Sequence, residues 1–552
     1  MTLMMCFLHY RNTNTSSKFR ISKCEENEGS PSCFKLTTKT ETVGTLRRVT
    51  FGRRNVDRPN KTILLVGETG TGKSTLVNFL VNYSMGVKFE DDVWFNILEE
   101  EEEKKSQSES QTSDVIVYKI FGYEDETLPY SLTIIDTPGY GSTEAIEHDV
   151  VVSQRLFDWF RSEDGVHEVD VVGLVMKASE NRLSNRLSYV FDSVMSLFGK
   201  DLEKNIVALM THSDGLTPTD AVEALKDANI KCAKNEEGQP VHFLFNNRQH
   251  QDRSQQRQRQ RLEDAHQISV EGMEGLVAFM EKTAPQKLKE TVDVLNERIR
   301  LTACIQNLND RIHMTEMKQR ELRQTKEALK KHEQEMKMNK QFTIEVDEAY
   351  KELEATDGRM WGLFFFEGAV CCTHCEENCH YPGCTVAWKP EHCEVMKKGR
   401  CTVCSRNCLA SAHVKDKWVY VEKTRRVKKT LTDMKNRYES NKAEAAKKTS
   451  LLKKLQQEIE NLEKDKEKWL EEAYQHVERL ELIALHVDSV STHVHLGFFI
   501  ERMKIKGYTE KFQRLKEMAQ QVNKHLQSGI QYAARMWSRL TRSDDEMRDT
   551  EV

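Results

Sequence analysis

Eight consecutive residues have the types and spacing needed to hold a polyphosphate: Gly67-Glu68-Thr69-Gly70-Thr71-Gly72-Lys73-Ser74. The glycines let backbone N–H groups curl around phosphate oxygens, and a helix starting at the loop's end adds the positive end of its dipole. Lys73 supplies a point charge for the β- and γ-phosphates, and the Ser74 hydroxyl is a ligand for Mg2+. Thr75 opens the helix and adds a further N–H to the cradle. A second group of residues, Asp136-Thr137-Pro138-Gly139, lies 63 positions after Lys73 (136 − 73). Asp136 is suited to hold the Mg2+ shell through water, and the Gly139 N–H to meet the γ-phosphate and register its loss. Lys73, Ser74, Asp136 and Gly139 are therefore the expected phosphate and metal machinery.

Between these groups, Glu99–Glu103 is a run of five glutamates followed by a polar stretch to Thr112. A long loop here would carry the first switch, with Thr112 as candidate ligand for Mg2+ and Ser113 as its rival. A third group, Thr211-His212-Ser213-Asp214, follows an apolar run. The Asp214 carboxylate can accept from both N1–H and the 2-amino group of guanine, a pair that adenine cannot make. The competing reading is an aspartate that caps the following helix. Asn246 ends another apolar run and is the second candidate for contacting the base.

The elements that must position these residues are short apolar runs alternating with helical patterns. Ile63–Val66, Val115–Ile120, Tyr130–Ile135, Val169–Met176, Asn205–Met210 and Val241–Phe245 read as strands, several of them apolar enough to be covered on both faces. The pattern predicts an α/β domain with a mostly parallel, doubly wound sheet. All three groups fall at carboxyl ends of strands, where such sheets bind ligands.

Residues 59–284 resemble the immune-associated nucleotide-binding GTPases (the GIMAP family), which group with septins and chloroplast import GTPases. The resemblance rests on GETGTGKSTLVN (67–78), TIIDTPGYG (133–141), ENRLS (180–184), LFGKDLEKNIVALMTHSDGL (197–216) and FLFNNR (243–248). It implies GTP and GDP as ligands, dependence on Mg2+ and nucleotide-dependent self-association. Two departures stand out. THSD takes the position of the usual Asn-Lys-x-Asp, so His212 replaces the lysine whose stem covers the guanine. Tyr140 stands where small Ras-like GTPases carry a water-orienting glutamine. Slow intrinsic hydrolysis, or help from a partner protomer, is expected.

The rest of the chain reads differently. Its charged content of 31% exceeds the usual quarter, which suits a globular part joined to long solvated helices. Basic and acidic residues nearly balance, 82 against 87, so no polyelectrolyte partner is implied. Residues 1–58 read as a variable or disordered extension, and the Gln/Arg-rich stretch 249–267 as a solvated loop. Leucine and isoleucine spacings predict coiled-coil arms over 285–355 and 421–480, and a further helical region over 481–552. Between the arms, 356–420 holds nine of the 14 cysteines. Cys372, Cys375, Cys379, Cys384, Cys393, Cys401, Cys404, Cys408 and His413 have the two-to-four-residue spacings of structural zinc ligands, enough for two sites. Disulfides are the alternative in an oxidising compartment. WGLFFF (361–366) reads as the apolar seal of this knot, at the tip of an antiparallel hairpin. No run of 18 apolar residues predicts a spanning helix.

These features together suggest a cytoplasmic GTP-binding protein with GTP/GDP and Mg2+ as ligands and Zn2+ in the cysteine-rich segment. Expected partners are a second copy of the chain and a protein effector rather than nucleic acid. The rival readings are a scaffold holding GTP constitutively, with the zinc-bearing coil carrying the function, and an ATP-driven mechanochemical protein.

Overall fold

The computed structural model describes residues 21–24, 31–43, 46–91, 93–98, 115–124, 127–137, 156–331, 343–356, 360–361, 365–366, 368–384, 389–430, 451–485, 497, 500–501, 504 and 509–520, apart from 157–158, 163–164, 185–186, 188–189 and 192–193. The chain divides into two compact units, residues 1–295 with 483–552, and residues 296–482.

The first unit begins with strands β1 (Ile21–Cys24), β2 (Ser32–Leu36), β3 (Lys39–Val43) and β4 (Leu46–Phe51), then β5 (Asn60–Gly67) and helix α1 (Lys73–Ser84). Next come β6 (Val93–Asn96), β7 (Ile116–Ile120), β8 (Ser131–Asp136), β9 (Glu168–Val169), β10 (Val171–Lys177) and β11 (Ile206–Thr211). Helix α2 (Thr219–Asp227), β12 (His242–Leu244), α3 (Gln256–Lys282) and β13 (Gln286–Lys287) follow. Eight strands form one sheet in the order β12-β11-β10-β5-β8-β7-β4-β3. Pairing is parallel from β12 through β8 and antiparallel between β8 and β7. Along β5, β8 and β11 nearly every residue is buried, because helices and loops cover both faces. Chain order reverses at β5, so its carboxyl end is the switch point.

Two expectations need correction in this unit. The segment before residue 59 is not merely an extension: β4 pairs in parallel with β7 and β3 with β4, burying Leu46, Val49 and Phe51. Only Val49-Thr50-Phe51 alternates with period two, a signal too short to stand out from the Ser/Thr-rich composition. The Gln/Arg-rich stretch is not a loop throughout, because α3 starts at Gln256. Arg253, just before it, is buried. It donates to the Phe89 carbonyl at 2.6 Å, and its guanidinium lies 4.2 Å from the Phe89 ring.

The second unit lies between α4 (Lys289–Lys331) and α5 (Leu451–Ile483), both of which extend past its ends. Between them are β14 (Thr343–Ala355), the short pair β15 (Met360–Trp361) and β16 (Phe365–Phe366), β17 (Gly368–Cys372), β18 (Glu377–Cys384), β19 (Met396–Lys397), β20 (Arg400–Cys401), β21 (His413–Asp416) and β22 (Trp418–Thr430). Helix α6 (Thr509–Gln520) belongs to the first unit. Residues 343–355 and 421–430 are therefore not coiled-coil arm. β14 and β22 form an antiparallel ribbon with 13 residues in each strand. Ile344 and Val346 turn inward against Leu322, Leu329 and Leu455. Facing charges pair across the ribbon, as in Glu348–Arg425 at 2.8 Å and Glu345–Arg426 at 3.2 Å. Residues 431–450 of the expected second arm lie outside the described residues.

The two helices of this unit run antiparallel within the chain: Gln319 donates to Glu463 at 3.0 Å, Lys326 to Gln456 at 2.7 Å, and Glu297 meets His476 at 3.1 Å. The ribbon runs back beside α4, with Lys429 2.6 Å from Glu321 and the Ala349 N–H donating to Glu321. It brings the cysteine-rich module beside Arg300, Asn307 and Arg311, early in α4, and not at a distal tip. One helix thus faces another helix, a ribbon and the module, which is why Asn307, Arg311, Thr315 and Gln319 are buried where a two-helix coil would leave them wet.

Burial would raise the Glu297 carboxyl, but His476, Arg300 and Lys397 outweigh it and hold it down at about 2. A depressed carboxyl adds stability above its unfolded value of 4.5 and loses it as pH falls toward 2. Allowing for solvent screening, this contributes ~1–2 kcal/mol. Denaturant titrations between pH 5 and 2 should give a shallower loss of stability for Glu297→Gln than for the natural chain. Comparing the two removes the effect of the other groups that titrate in this range, which both share.

Candidate nucleotide site and cysteine-rich module

The phosphate loop leaves the carboxyl end of β5 and enters α1 through Gly72, whose φ of 89° only glycine adopts without strain. Gly67 is fixed by a close approach: a Cβ there would lie 2.3 Å from the Val175 carbonyl oxygen of β10. The Lys73 ammonium is folded over the loop, donating to the carbonyls of Gly67 at 2.7 Å and Glu68 at 3.0 Å. The Thr71 hydroxyl donates to the Glu68 carbonyl at 2.8 Å, closing the turn that contains Thr69 and Gly70. The Thr69 hydroxyl is buried without a hydrogen-bond partner. Ser74 and Thr75 occupy the first turn of α1, which carries no acidic residue to compete with an anion.

Asp136 ends β8 beside Leu65 of β5 and is fully buried. Neither carboxylate oxygen has a hydrogen bond of ordinary geometry. Burial pushes its pKa up to about 6, against the opposing pull of Lys73 and the nearby Ser74 hydroxyl. A buried carboxyl group with unspent oxygens beside a lysine and a serine fits a hydrated divalent cation. Lys73, Ser74 and Asp136 are thus brought together. Thr112 and Gly139, named with them, lie outside the described residues, as do Ser113 and Tyr140.

On the other side of the loop, the Thr211 hydroxyl of β11 donates to the Thr71 carbonyl at 2.5 Å, tying the base-side segment to the phosphate loop. His212 adopts a φ of 55° and its Nδ1 lies 3.1 Å from the Thr211 hydroxyl. Burial, then Lys177 and Arg248, lower its pKa, so the ring is neutral at physiological pH. Asp214 is exposed, and its Oδ1 accepts the Leu216 N–H at 3.0 Å. It closes a local turn and does not cap α2, whose N-cap is Pro218. The Asn246 side chain donates to the Ser213 carbonyl at 2.7 Å, joining the two expected base-side loops. Ser269 of α3 was not foreseen: its hydroxyl accepts the Asn246 backbone N–H at 2.8 Å and donates to the Asn247 side-chain oxygen at 3.2 Å. No sequence pattern marks a helix serine for that task.

A phosphate loop at the switch point of a sheet ordered β12-β11-β10-β5-β8-β7, with a buried aspartate at the end of the adjacent strand, is the P-loop GTPase fold. Residues 61–274 match the model of the AIG1 family. Among solved structures, Toc33 from Arabidopsis thaliana in complex with Mg2+ and GMPPNP is 17% identical, covers 42% of this chain and 89% of that one, and has a TM-score of 0.27. Toc33 with GDP and Mg2+ is 14% identical, with 38% and 85% coverage and a TM-score of 0.25. The septin GTPase domain of Chlamydomonas reinhardtii is 17% identical, with 34% and 75% coverage and a TM-score of 0.21. No curated protein matches the chain.

In the second unit, the nine expected ligands fall into three groups whose donor atoms lie within 4.8 Å of one another. Cys372, Cys375, Cys404 and Cys408 form one, and Cys379, Cys401, Cys404 and His413 another. The third is His380, Cys384, Cys393 and Glu394. Glu394 was missed, because a lone glutamate beside a cysteine carries no spacing signal. Cys371, in the same stretch, points elsewhere: its Sγ lies 3.4 Å from the Asn378 side chain and 3.5 Å from the Trp418 carbonyl. The side chains of WGLFFF lie outside the described residues. Among the described residues, no helix is long and apolar enough to cross a membrane.

Proposed function

We propose that this chain binds GTP with Mg2+, hydrolyses it slowly, and uses its nucleotide state to control association with a second copy or a protein effector. The observation that carries the reading is Asp136, fully buried with both oxygens lacking an ordinary hydrogen bond, next to Lys73 and Ser74 at a helix N-terminus. Bound Mg2+ would neutralise the β- and γ-phosphates, with Ser74 and the water shell on Asp136 as its protein attachments. Asp214 supports guanine as the base: it is exposed, and one of its two carboxylate oxygens accepts the Leu216 N–H. Neutral His212 supplies a flat face for stacking. The module of the second unit is read as structural zinc and the compartment as the reducing cytoplasm, since nine clustered thiols would otherwise pair.

The test is competition of a fluorescent GTP analogue by unlabelled GTP or ATP on the full chain, natural and Asp214→Asn. The full chain is needed because β3 and β4 belong to the sheet. GTP should win by tenfold or more, about 1.4 kcal/mol, and the substitution should remove the preference. Equal competition by ATP, or an unchanged preference in Asp214→Asn, would make Asp214 a turn residue only and overturn the guanine reading.

A further inference from the structure

We propose that the cysteine-rich module holds three zinc ions, two of them joined through the thiolate of Cys404 into one binuclear cluster. This rests on the reading of the module as a zinc site and goes beyond it in number and connectivity.

Two separate tetrahedral ions need eight donors, yet the first two groups contain seven residues, because Cys404 belongs to both. Cys371 cannot make up the eighth, being engaged with Asn378 and Trp418. A thiolate sulfur has lone pairs enough to bind two cations, so sharing Cys404 completes both tetrahedra without water. The spacings suit metal and not sulfur–sulfur bonds. With Zn–S near 2.3 Å, the edge of a tetrahedron is about 3.8 Å. Cys375 and Cys408 lie 3.6 Å apart, and Cys384 and Cys393 3.8 Å. A disulfide would need about 2.05 Å.

The surroundings prepare these atoms to act as ligands. Backbone N–H groups point at the sulfurs: Cys375 N to Cys372, Cys404 N to Cys401, and Cys408 N to Cys404 at 3.2 Å. Donation of this kind favours the thiolate. Glu376 and Asn407, next to Cys375 and Cys408, hold left-handed φ values of 54° and 47°, which mark tight turns at both cysteines. His413 Nδ1 is 2.9 Å from the Leu409 carbonyl, which fixes the proton there and leaves Nε2 as the ligand. That Nε2 is buried and has no hydrogen-bond partner. A buried nitrogen lone pair without a donor is what a metal would occupy.

A buried cation also stands beside the pair. Six thiolates and two divalent ions leave 4 − 6 = −2 on the binuclear pair. Arg311 of α4, itself buried, donates to the Val403 carbonyl and to Glu377 at 3.0 Å, and Glu377 accepts the Ser405 N–H at 2.9 Å. The turn that presents Cys404 is thus held from both sides by a cation and its carboxylate. The third ion has its own donors: His380 Nδ1 lies 3.2 Å from Cys393 Sγ and 3.5 Å from a Glu394 oxygen.

The full chain, purified under reducing conditions with zinc, should be weighed by native mass spectrometry, and its cobalt-substituted form examined by electron paramagnetic resonance. Three zinc ions are expected per chain. In the cobalt form two ions should couple through the shared sulfur, so the low-temperature signal integrates to about one uncoupled ion of three. Cys384→Ala should lose one zinc and keep the coupling, which guards against a Cys404→Ser variant that simply fails to fold. Two zinc ions in the natural chain, or three uncoupled cobalt ions, overturn the bridge while leaving the zinc reading intact. No zinc, with masses lowered by pairs of hydrogens, overturns the zinc reading itself in favour of disulfides.

Discussion

Lys73→Ala is expected to abolish measurable nucleotide binding, weakening it by two to three orders of magnitude. The ammonium is the one cation buried in the phosphate loop, held there by the carbonyls of Gly67 and Glu68. A hydrogen bond to a charged group contributes ~1.5–3 kcal/mol, and one ammonium can serve two phosphates, so ~3–4 kcal/mol is at stake. That corresponds to about 150- to 900-fold in Kd. Without Lys73, Asp136 would also lose the neighbour that opposes the rise in its pKa, and its hold on Mg2+ would weaken near neutral pH. Isothermal titration with GTP and Mg2+ measures this directly. Binding within tenfold of the natural chain would mean that the loop does not carry the phosphates.

The second large effect is removal of metal. A strong zinc chelator should eliminate the folding of β17–β21 while the sheet of the first unit continues to melt cooperatively. Half of the buried cluster of the module is cysteine, and the rest is only Ala303, Val370, Val395, Met396, Val403 and Ala410. Such a core cannot offset the chain entropy of its many turns, whereas a structural zinc contributes ~10–16 kcal/mol. Calorimetry before and after chelation should show one transition lost and restored by zinc. Identical traces would show that the module folds on its own.

How much of this was legible depended on how local each signal was. The phosphate loop, Asp136 and the six strands around them could be read because each is a short run with its own period and punctuation, and the sheet order follows from chain connectivity. The clustering of the cysteines was legible for the same reason, since thiols two to four residues apart are brought close by short turns. What failed was non-local. Thr343–Ala355 is rich in glutamate and suggests helix, but Ile344 and Val346 alternate, and the strand exists because it pairs with a basic partner, Trp418–Thr430, 63 to 87 positions further on (418 − 355, 430 − 343). Arg253 reads as a solvated charge in a Gln/Arg stretch until Phe89 covers it. Ser269 and Glu394 acquire their roles only from neighbours that the fold delivers.

The chain enters and leaves the second unit at adjacent points. Glu297 and His476, near its two ends, touch, and the residues just beyond its far end return to the first unit, where the Leu485 N–H meets the Phe198 carbonyl at 2.9 Å. In architectural terms residues 296–482 are a cassette spliced into another domain, not a tail appended to it. A segment whose ends meet can be gained or lost with little entropic consequence for its host, because a short bridge closes the same gap. Relatives that keep the nucleotide domain and its final helix but lack the ribbon and the cysteine-rich module would therefore be expected to fold, and a split of function between host and cassette would follow the same seam.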